Sequence, residues 1–345
     1  MVMRRFAGAL LAVWAVWFIP SPVTAQKVGS TSMQFLKVMP CARATGMGDA
    51  YAVLASGAEA VFWNPSGLAL AGNQEFSLTY VDWIFDAQQG ALSYALPLSD
   101  IGALGLQVQY VDYGEFEETT TAAPYIKDPN APGITGRTFR PFSFLAGVTY
   151  ARSLTDKFSV GLTMKYAHES LFNGEMVSAY LGQLAGTQDV KTWGNGLLFD
   201  FGIRYTTGFR SLQIAASVQN FGSDVKYASE SNPVPLLFRF GIAANIIGPQ
   251  ALVVQNEEEN RVTVEFDLFQ PNDYSQQAHL GIEYEFAKTF ALRTGYKFNY
   301  DYEGLTFGAG VRHEFGSVGL SVDYSYASIG TYLGYVQRIS LGVRL

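Results

Sequence analysis

From Glu75 to the last residue, large apolar side chains recur at every second position in runs of about ten residues. Leu104, Leu106, Val108 and Tyr110 alternate with Ala103, Gly105, Gln107 and Gln109. Val318, Leu320, Val322, Tyr324 and Tyr326 enclose Gly319, Ser321, Asp323 and Ser325. A period of two places each set on opposite faces of a strand. A soluble sandwich alternates in the same way with its apolar face inward, but its strands run to about five or six residues. A tilted strand that crosses a bilayer needs roughly nine to eleven, and it carries aromatic residues near its ends, as these runs do. The chain is also poor in charge, with 15 % Asp, Glu, Lys and Arg against about a quarter in an ordinary soluble protein.

Fourteen such segments can be marked, at 75–83, 88–97, 102–113, 141–152, 157–168, 195–206, 211–221, 235–246, 260–269, 278–286, 289–298, 304–315, 317–327 and 333–345. An even number suits a bacterial barrel. The links give an independent check. If the first strand rises from the periplasm, every second link must be short. Ser99-Asp100, Leu154-Thr155-Asp156, Thr207-Gly208-Phe209, Ala287-Lys288 and Phe315-Gly316 fall where short turns are required, while 114–140, 169–194 and 222–234 fall outside the cell. One link, 247–259, is long where a turn is expected; either a strand there is misplaced or that loop is unusual. The chain ends within an alternating run, Ile339, Leu341, Val343 and Leu345, with Leu345 in place of the more usual terminal aromatic. The expected fold is all-β, a 14-stranded antiparallel transmembrane β-barrel.

Ahead of the strands stand a basic Arg4-Arg5, an apolar run from Phe6 to Ile19 and the small-residue stretch Val23-Thr24-Ala25. Fourteen apolar residues fall short of the ~20 a spanning helix needs, so residues 1–25 read as a signal peptide cut before Gln26. Its loss removes two arginines and moves the formal charge from −7 to −9. That balance argues against nucleic acid, which asks for a basic patch. A lone cysteine, Cys41, allows no intrachain disulfide and suits a small buried position. After cleavage, the expected address is the outer membrane of a Gram-negative-type bacterium, in contact with its lipid.

Residues 26–74 do not share the period of two, and a fourteen-strand cylinder (75–345) leaves a lumen wide enough to need filling. Met47, Ala50, Tyr51 and Leu54 fall at i, i+3, i+4 and i+7, which predicts a short amphipathic helix capped by Thr45. In "VFWNPSGLA" (61–69), Asn64 suits an N-cap and Pro65 the first turn, although Asn-Pro is equally a simple turn. The preceding Phe62-Trp63 pair would pack on the barrel wall. This segment is expected to form a hatch inside the lumen. There the charges Asp200, Arg204, Arg239, Glu265, Asp267, Glu283, Glu285, Arg293, Lys297, Arg312, Glu314 and Asp323 must pair or stay hydrated.

Residues 34–69 also carry a family likeness. "ARATGMGDAY" (42–51) and "VFWNPSGLA" (61–69) resemble the N-terminal signature of the PorV/PorQ family within the FadL-like barrel superfamily. Ser66 stands where alanine is usual, and Cys41 where serine is common. The resemblance implies a fourteen-strand barrel with a hatch built on Gly46, Met47, Gly48 and Tyr51 and on Trp63, Asn64, Pro65, Ser66 and Gly67. It further implies either an accessory role in type IX protein export, with secreted cargo or secretion machinery as partner, or passive transport of long-chain fatty acids and other hydrophobic small molecules.

No chemistry for an enzyme or a cofactor can be assembled. His168, His279 and His313 lie in separate segments without ligand-like spacing, and no G-x-S-x-G, P-loop or dinucleotide fingerprint occurs. The acidic run 257–259 reads as a solvated loop. The long outer loops remain the candidates for recognition. "EFEETTTAAPY" (115–125) and "LFNGEMVSAYLGQL" (171–184) mix apolar anchors with charge, with Leu171, Phe172, Met176, Tyr180 and Leu181 as the candidate contacts for a partner or ligand.

Overall fold

A computed structural model describes residues 29–120, 125–127, 131–180, 187–255 and 260–345; residues 1–25, expected to be a signal peptide, lie outside the described residues. Fourteen antiparallel strands form the wall: β1 Glu75–Asp82, β2 Gln88–Pro97, β3 Ala103–Asp112, β4 Phe142–Ser153, β5 Phe158–Ser170, β6 Trp193–Thr206, β7 Gln213–Gly222, β8 Leu237–Gly248, β9 Asn260–Pro271, β10 Gln277–Phe286, β11 Phe290–Phe298, β12 Leu305–Phe315, β13 Val318–Ser328 and β14 Tyr335–Arg344. Each pairs with its neighbours in sequence. The last pairs with the first, from Glu75 opposite Arg344 to Asp82 opposite Gln337. The cylinder therefore closes, and no backbone edge faces lipid, as a membrane demands. The expected segments agree with the observed ones to within about two residues.

The alternation sorts as membrane physics requires. Leu78, Leu106, Met164, Phe201, Leu292 and Phe307 face outward, while Ser77, Gln107, Thr163, Arg293 and Thr306 face in and are buried. At the rims, outward rings pair across strands. Phe76 stacks on Tyr94 at 4.4 Å, Tyr110 on Phe142 at 6.0 Å and Tyr326 on Tyr335 at 5.3 Å. These pairs form the aromatic belt of a membrane barrel.

The long link after β8 is a true loop and not a misplaced strand. Val254-Gln255 lie parallel to Ile247-Gly248, and Arg210 donates to the carbonyls of Ala251 and Leu252 at 2.6 and 2.8 Å. At the opposite end, each of the three long links carries a hairpin: Phe116–Thr120 with Gly133–Phe139, Met176–Tyr180 with Thr187–Lys191 and the shorter Val225–Tyr227 with Glu230–Asn232.

The segment ahead of β1 runs inside the barrel in short pieces: Gln34–Lys37, Ala42–Gly46, Gly57–Glu59, Ala60–Trp63 and Pro65–Leu70. The expected helix through Met47, Ala50, Tyr51 and Leu54 does not form; the helical turn ends at Gly46. Gly48 and Asp49 adopt left-handed backbone, with φ of 67° and 63°. Beyond them, the N–H groups that a helix would direct to its own carbonyls go to carboxylates of the wall. Thr45 is accordingly no cap. It lies within the turn and shares a 2.6 Å hydrogen bond with Ser325 of β13.

Candidate functional site

The hatch is tied to the wall at the extracellular mouth and at mid-depth. At the extracellular mouth, Ser32 N–H donates to the Pro233 carbonyl at 2.9 Å. Thr31 and Lys37 converge on Asp273, at 2.7 and 2.6 Å. Burial works against charge on Asp273, yet the hydrogen bonds from Lys37, Thr31 and Gln34 outweigh it and hold the carboxyl below its ordinary range. Gln89 of β2 and Gln109 of β3 both donate to the Val38 carbonyl.

At mid-depth the contacts are ionic. Arg43 grips Glu283 of β10 with two hydrogen bonds, at 2.9 and 2.7 Å. Glu283 also accepts from Arg293 of β11 at 2.6 Å, and Arg293 in turn reaches Asp323 of β13 at 2.6 Å. Two cations and two anions thus close a buried chain across three strands and the hatch, the balance a buried charge needs. Next to it, Lys297 bridges Asp49 of the hatch and Glu303. These are partners that the parity of the strands could not supply, because Arg43, Asp49 and Glu303 carry no period-two signal.

Glu265 and Asp267, both on β9, act differently. Asp267 Oδ2 accepts from the backbone N–H groups of Tyr51 and Ala52, each at 3.0 Å. Glu265 accepts from those of Val53 and Leu54, at 2.6 and 3.1 Å. Two side chains of the wall therefore satisfy four consecutive backbone donors that no hatch carbonyl reaches. Left unpaired at this depth, each donor would cost on the order of 1–3 kcal/mol.

The Asn64-Pro65 step explains itself in three dimensions. Asn64 Oδ1 accepts from Ser66 N–H at 3.1 Å and from its hydroxyl at 2.8 Å, while Nδ2 donates to the Ala52 carbonyl at 2.9 Å and to that of Ile203 at 3.3 Å. The buried amide is fully used, as an N-cap to Pro65–Leu70 and as a tie to β6. Trp63 Nε1 donates to the Pro40 carbonyl at 3.0 Å. Its ring lies edge-on to Tyr51 at 5.7 Å and under the Arg239 guanidinium of β8 at 4.9 Å, so Trp63 of the aromatic pair meets the wall.

Close approach of hatch and wall rests on glycine. A Cβ on Gly295 of β11 would sit 2.1 Å from the Met47 carbonyl carbon and 2.2 Å from Gly48 N; one on Gly161 of β5 would sit 2.3 Å from that of Pro65. Gly67 is bound the same way, with a Cβ falling 2.0 Å from the Ala55 carbonyl oxygen. Backbone thus lies directly on backbone at both sides of the lumen. Gly295→Ala is expected to destabilise the barrel by at least about 1–3 kcal/mol through overpacking. Gly90→Ala, with nothing within 4 Å of the added carbon, should leave stability unchanged. The heat-induced mobility shift on gels compares the two.

All of Gly46, Met47, Gly48, Tyr51, Trp63, Asn64, Pro65, Ser66 and Gly67 lie in this interface. The outer-loop candidates are elsewhere. Leu171 and Met176 are exposed, whereas Phe172 packs on Phe139 at 4.6 Å, beneath Arg137. Tyr180 ends the hairpin strand at its tip, and Leu181 lies outside the described residues. Among the expected lumen charges, Glu314 departs. It stands exposed at the periplasmic rim, paired with Arg344, because β12 and β14 carry that position past the end of the hatch. His279 is buried, sharing hydrogen bonds with Tyr300 at 2.8 Å and the Asp49 carbonyl at 3.2 Å; His168 pairs with Asn195.

A family model described as "Type IX secretion system protein PorV" matches residues 21–271. No curated protein matches the sequence. Among solved structures, the barrel is similar to the toluene transporter TodX of Pseudomonas putida, at 14 % identity and a TM-score of 0.55, covering 87 % of this chain and 96 % of that one. It is likewise similar to the monoaromatic hydrocarbon channel CymD, at 13 % identity and a TM-score of 0.51, covering 89 % and 97 %. At such identities the likeness is one of fold.

Proposed function

Because the chain belongs to the PorV family of type IX secretion proteins, we propose that it is a non-enzymatic outer-membrane accessory of protein export that docks a partner chain through its extracellular hairpins. The observation that carries this reading is the crest formed by the hairpins at 116–139 and 176–191. They brace one another through Phe139 on Phe172 and through Arg137 to Glu175 at 3.0 Å. Once braced, they leave Ile134 and Met176 more than half exposed, beside Phe116 and Leu171. Exposed apolar side chains on two mutually braced hairpins, next to charges, mark an interaction surface. The occupant is secreted cargo or a protein of the secretion machinery.

Passive transport of fatty acids or other hydrophobic molecules is not favoured. A path through the lumen would have to part the hatch from both its ionic chain and its glycine seats, and the named transporters share the fold alone. A photo-crosslinking residue at Met176 or Ile134, in cells, decides the matter. Covalent capture of a secreted protein or of secretion machinery supports docking. Capture of neither, with fatty-acid uptake lost on deleting the gene, overturns it.

A further inference from the structure

Above the hatch, toward the extracellular mouth, lies a cavity of about 180 Å³ bounded by Lys37, Arg239, Lys297 and Arg338 and by the rings of Trp83 and Phe269. The two lysines have partners, Asp273 for Lys37 and Asp49 with Glu303 for Lys297. The two arginines do not. Arg239 and Arg338 are only 3 % and 5 % exposed, and among the described residues neither has a carboxylate within ion-pair distance. Arg239 makes one long hydrogen bond, 3.3 Å to the Asp49 carbonyl. The Nε groups of both are buried without an acceptor. Each guanidinium instead faces aromatic rings, Arg239 over Phe269 at 4.2 Å and Arg338 over Trp83 at 5.5 Å.

A buried guanidinium without a direct ion pair is expensive to keep. Four cations line this cavity against the carboxylates of Asp49 and Glu303, an excess of positive charge that favours an anion. The guanidinium fork matches a planar carboxylate with paired hydrogen bonds. Asp49 and Glu303, on the same wall, repel a dianion more than a monoanion, which favours carboxylate over phosphate. The rings of Trp83 and Phe269, each already carrying a guanidinium on one face, give the cavity an apolar border for a flat body. The volume lies below the ~300–1,000 Å³ of sites for drug-sized ligands, too small for a long acyl chain. We propose that this cavity binds a small aromatic carboxylate, its carboxyl held by Arg239 and Arg338 and its ring along that apolar border. This site is independent of the docking crest and goes beyond the export reading.

Isothermal titration calorimetry on the full-length protein in detergent, with benzoate as the probe, tests the assignment. Saturable one-to-one binding is expected, at least ten-fold tighter than for benzyl alcohol, its uncharged counterpart, and tighter than for inorganic phosphate. Arg338→Gln should weaken benzoate at least ten-fold, and Arg261→Gln, at the periplasmic end, should not. Equal affinity for benzoate and benzyl alcohol, tighter binding of phosphate, or no saturable heat from the unaltered protein would overturn the site. So would full benzoate affinity in Arg338→Gln. The first three comparisons use the unaltered chain, so they stand even if the variant misfolds.

Discussion

Deletion of residues 27–74 is expected to turn a closed barrel into a conducting one, seen as discrete current steps in a planar bilayer where the intact protein gives a quiet baseline. Eight strands enclose only side chains and sixteen or more enclose water; fourteen lie close enough to the upper case that the lumen must be occupied to be shut. Here the occupant is backbone pressed on glycine at Gly161 and Gly295, with little inward side-chain bulk of the wall's own at those points. The deletion leaves Glu265, Asp267 and Glu283 without the hatch donors they now serve. Water entering the opened lumen rehydrates them, so their loss of partners does not forbid assembly. Heat-modifiable migration on a gel establishes that the shortened chain still folds. A folded, hatchless barrel that passes no current would show that the wall closes on itself and that the hatch does not seal it.

The wall was legible because every strand obeys one local rule. Parity told outward Leu106 from inward Gln107, and the spacing of turns told the periplasmic end from the other. Even the link at 247–259, the one departure from that rhythm, was visible as a departure. The hatch was legible only as composition. Met47, Ala50, Tyr51 and Leu54 satisfy a helical period, but the N–H groups of Tyr51 to Leu54 are taken by Glu265 and Asp267, more than two hundred residues away in sequence. No local pattern encodes an acceptor on another strand. The same limit hid the anion cavity. Arg338 has the parity of an inward residue, yet that it lacks a carboxylate is a fact about Asp49 and Glu303, both already held by Lys297. The Asn64 amide lies between these cases, since its cap to Ser66 is local and its tie to Ile203 is not.

Glu283→Ala should be among the most damaging single changes in the chain. It removes the anion shared by Arg43 and Arg293, both largely buried, and leaves Asp323 alone to serve Arg293. Breaking one member of a buried ionic chain typically costs about 3–5 kcal/mol, because the surviving charge stays out of water. Glu285, two residues further along β10, makes the comparison. It is buried too and also pairs with two arginines, Arg261 and Arg312, but both of these are about a third exposed at the periplasmic end, so the charges left behind by its removal stay in water and the cost is smaller. Urea unfolding in detergent should therefore show a large drop in midpoint for Glu283→Ala and a small one for Glu285→Ala. The two should also separate in the bilayer. Freed of its mid-depth anchor, the hatch keeps its glycine seats and its upper ties at Asp273, so Glu283→Ala is expected to flicker between closed and briefly conducting states, with Glu285→Ala staying closed. Equal midpoints for the two variants would mean that water already reaches Glu283, and that the ionic chain across β10, β11 and β13 does not hold the hatch in place.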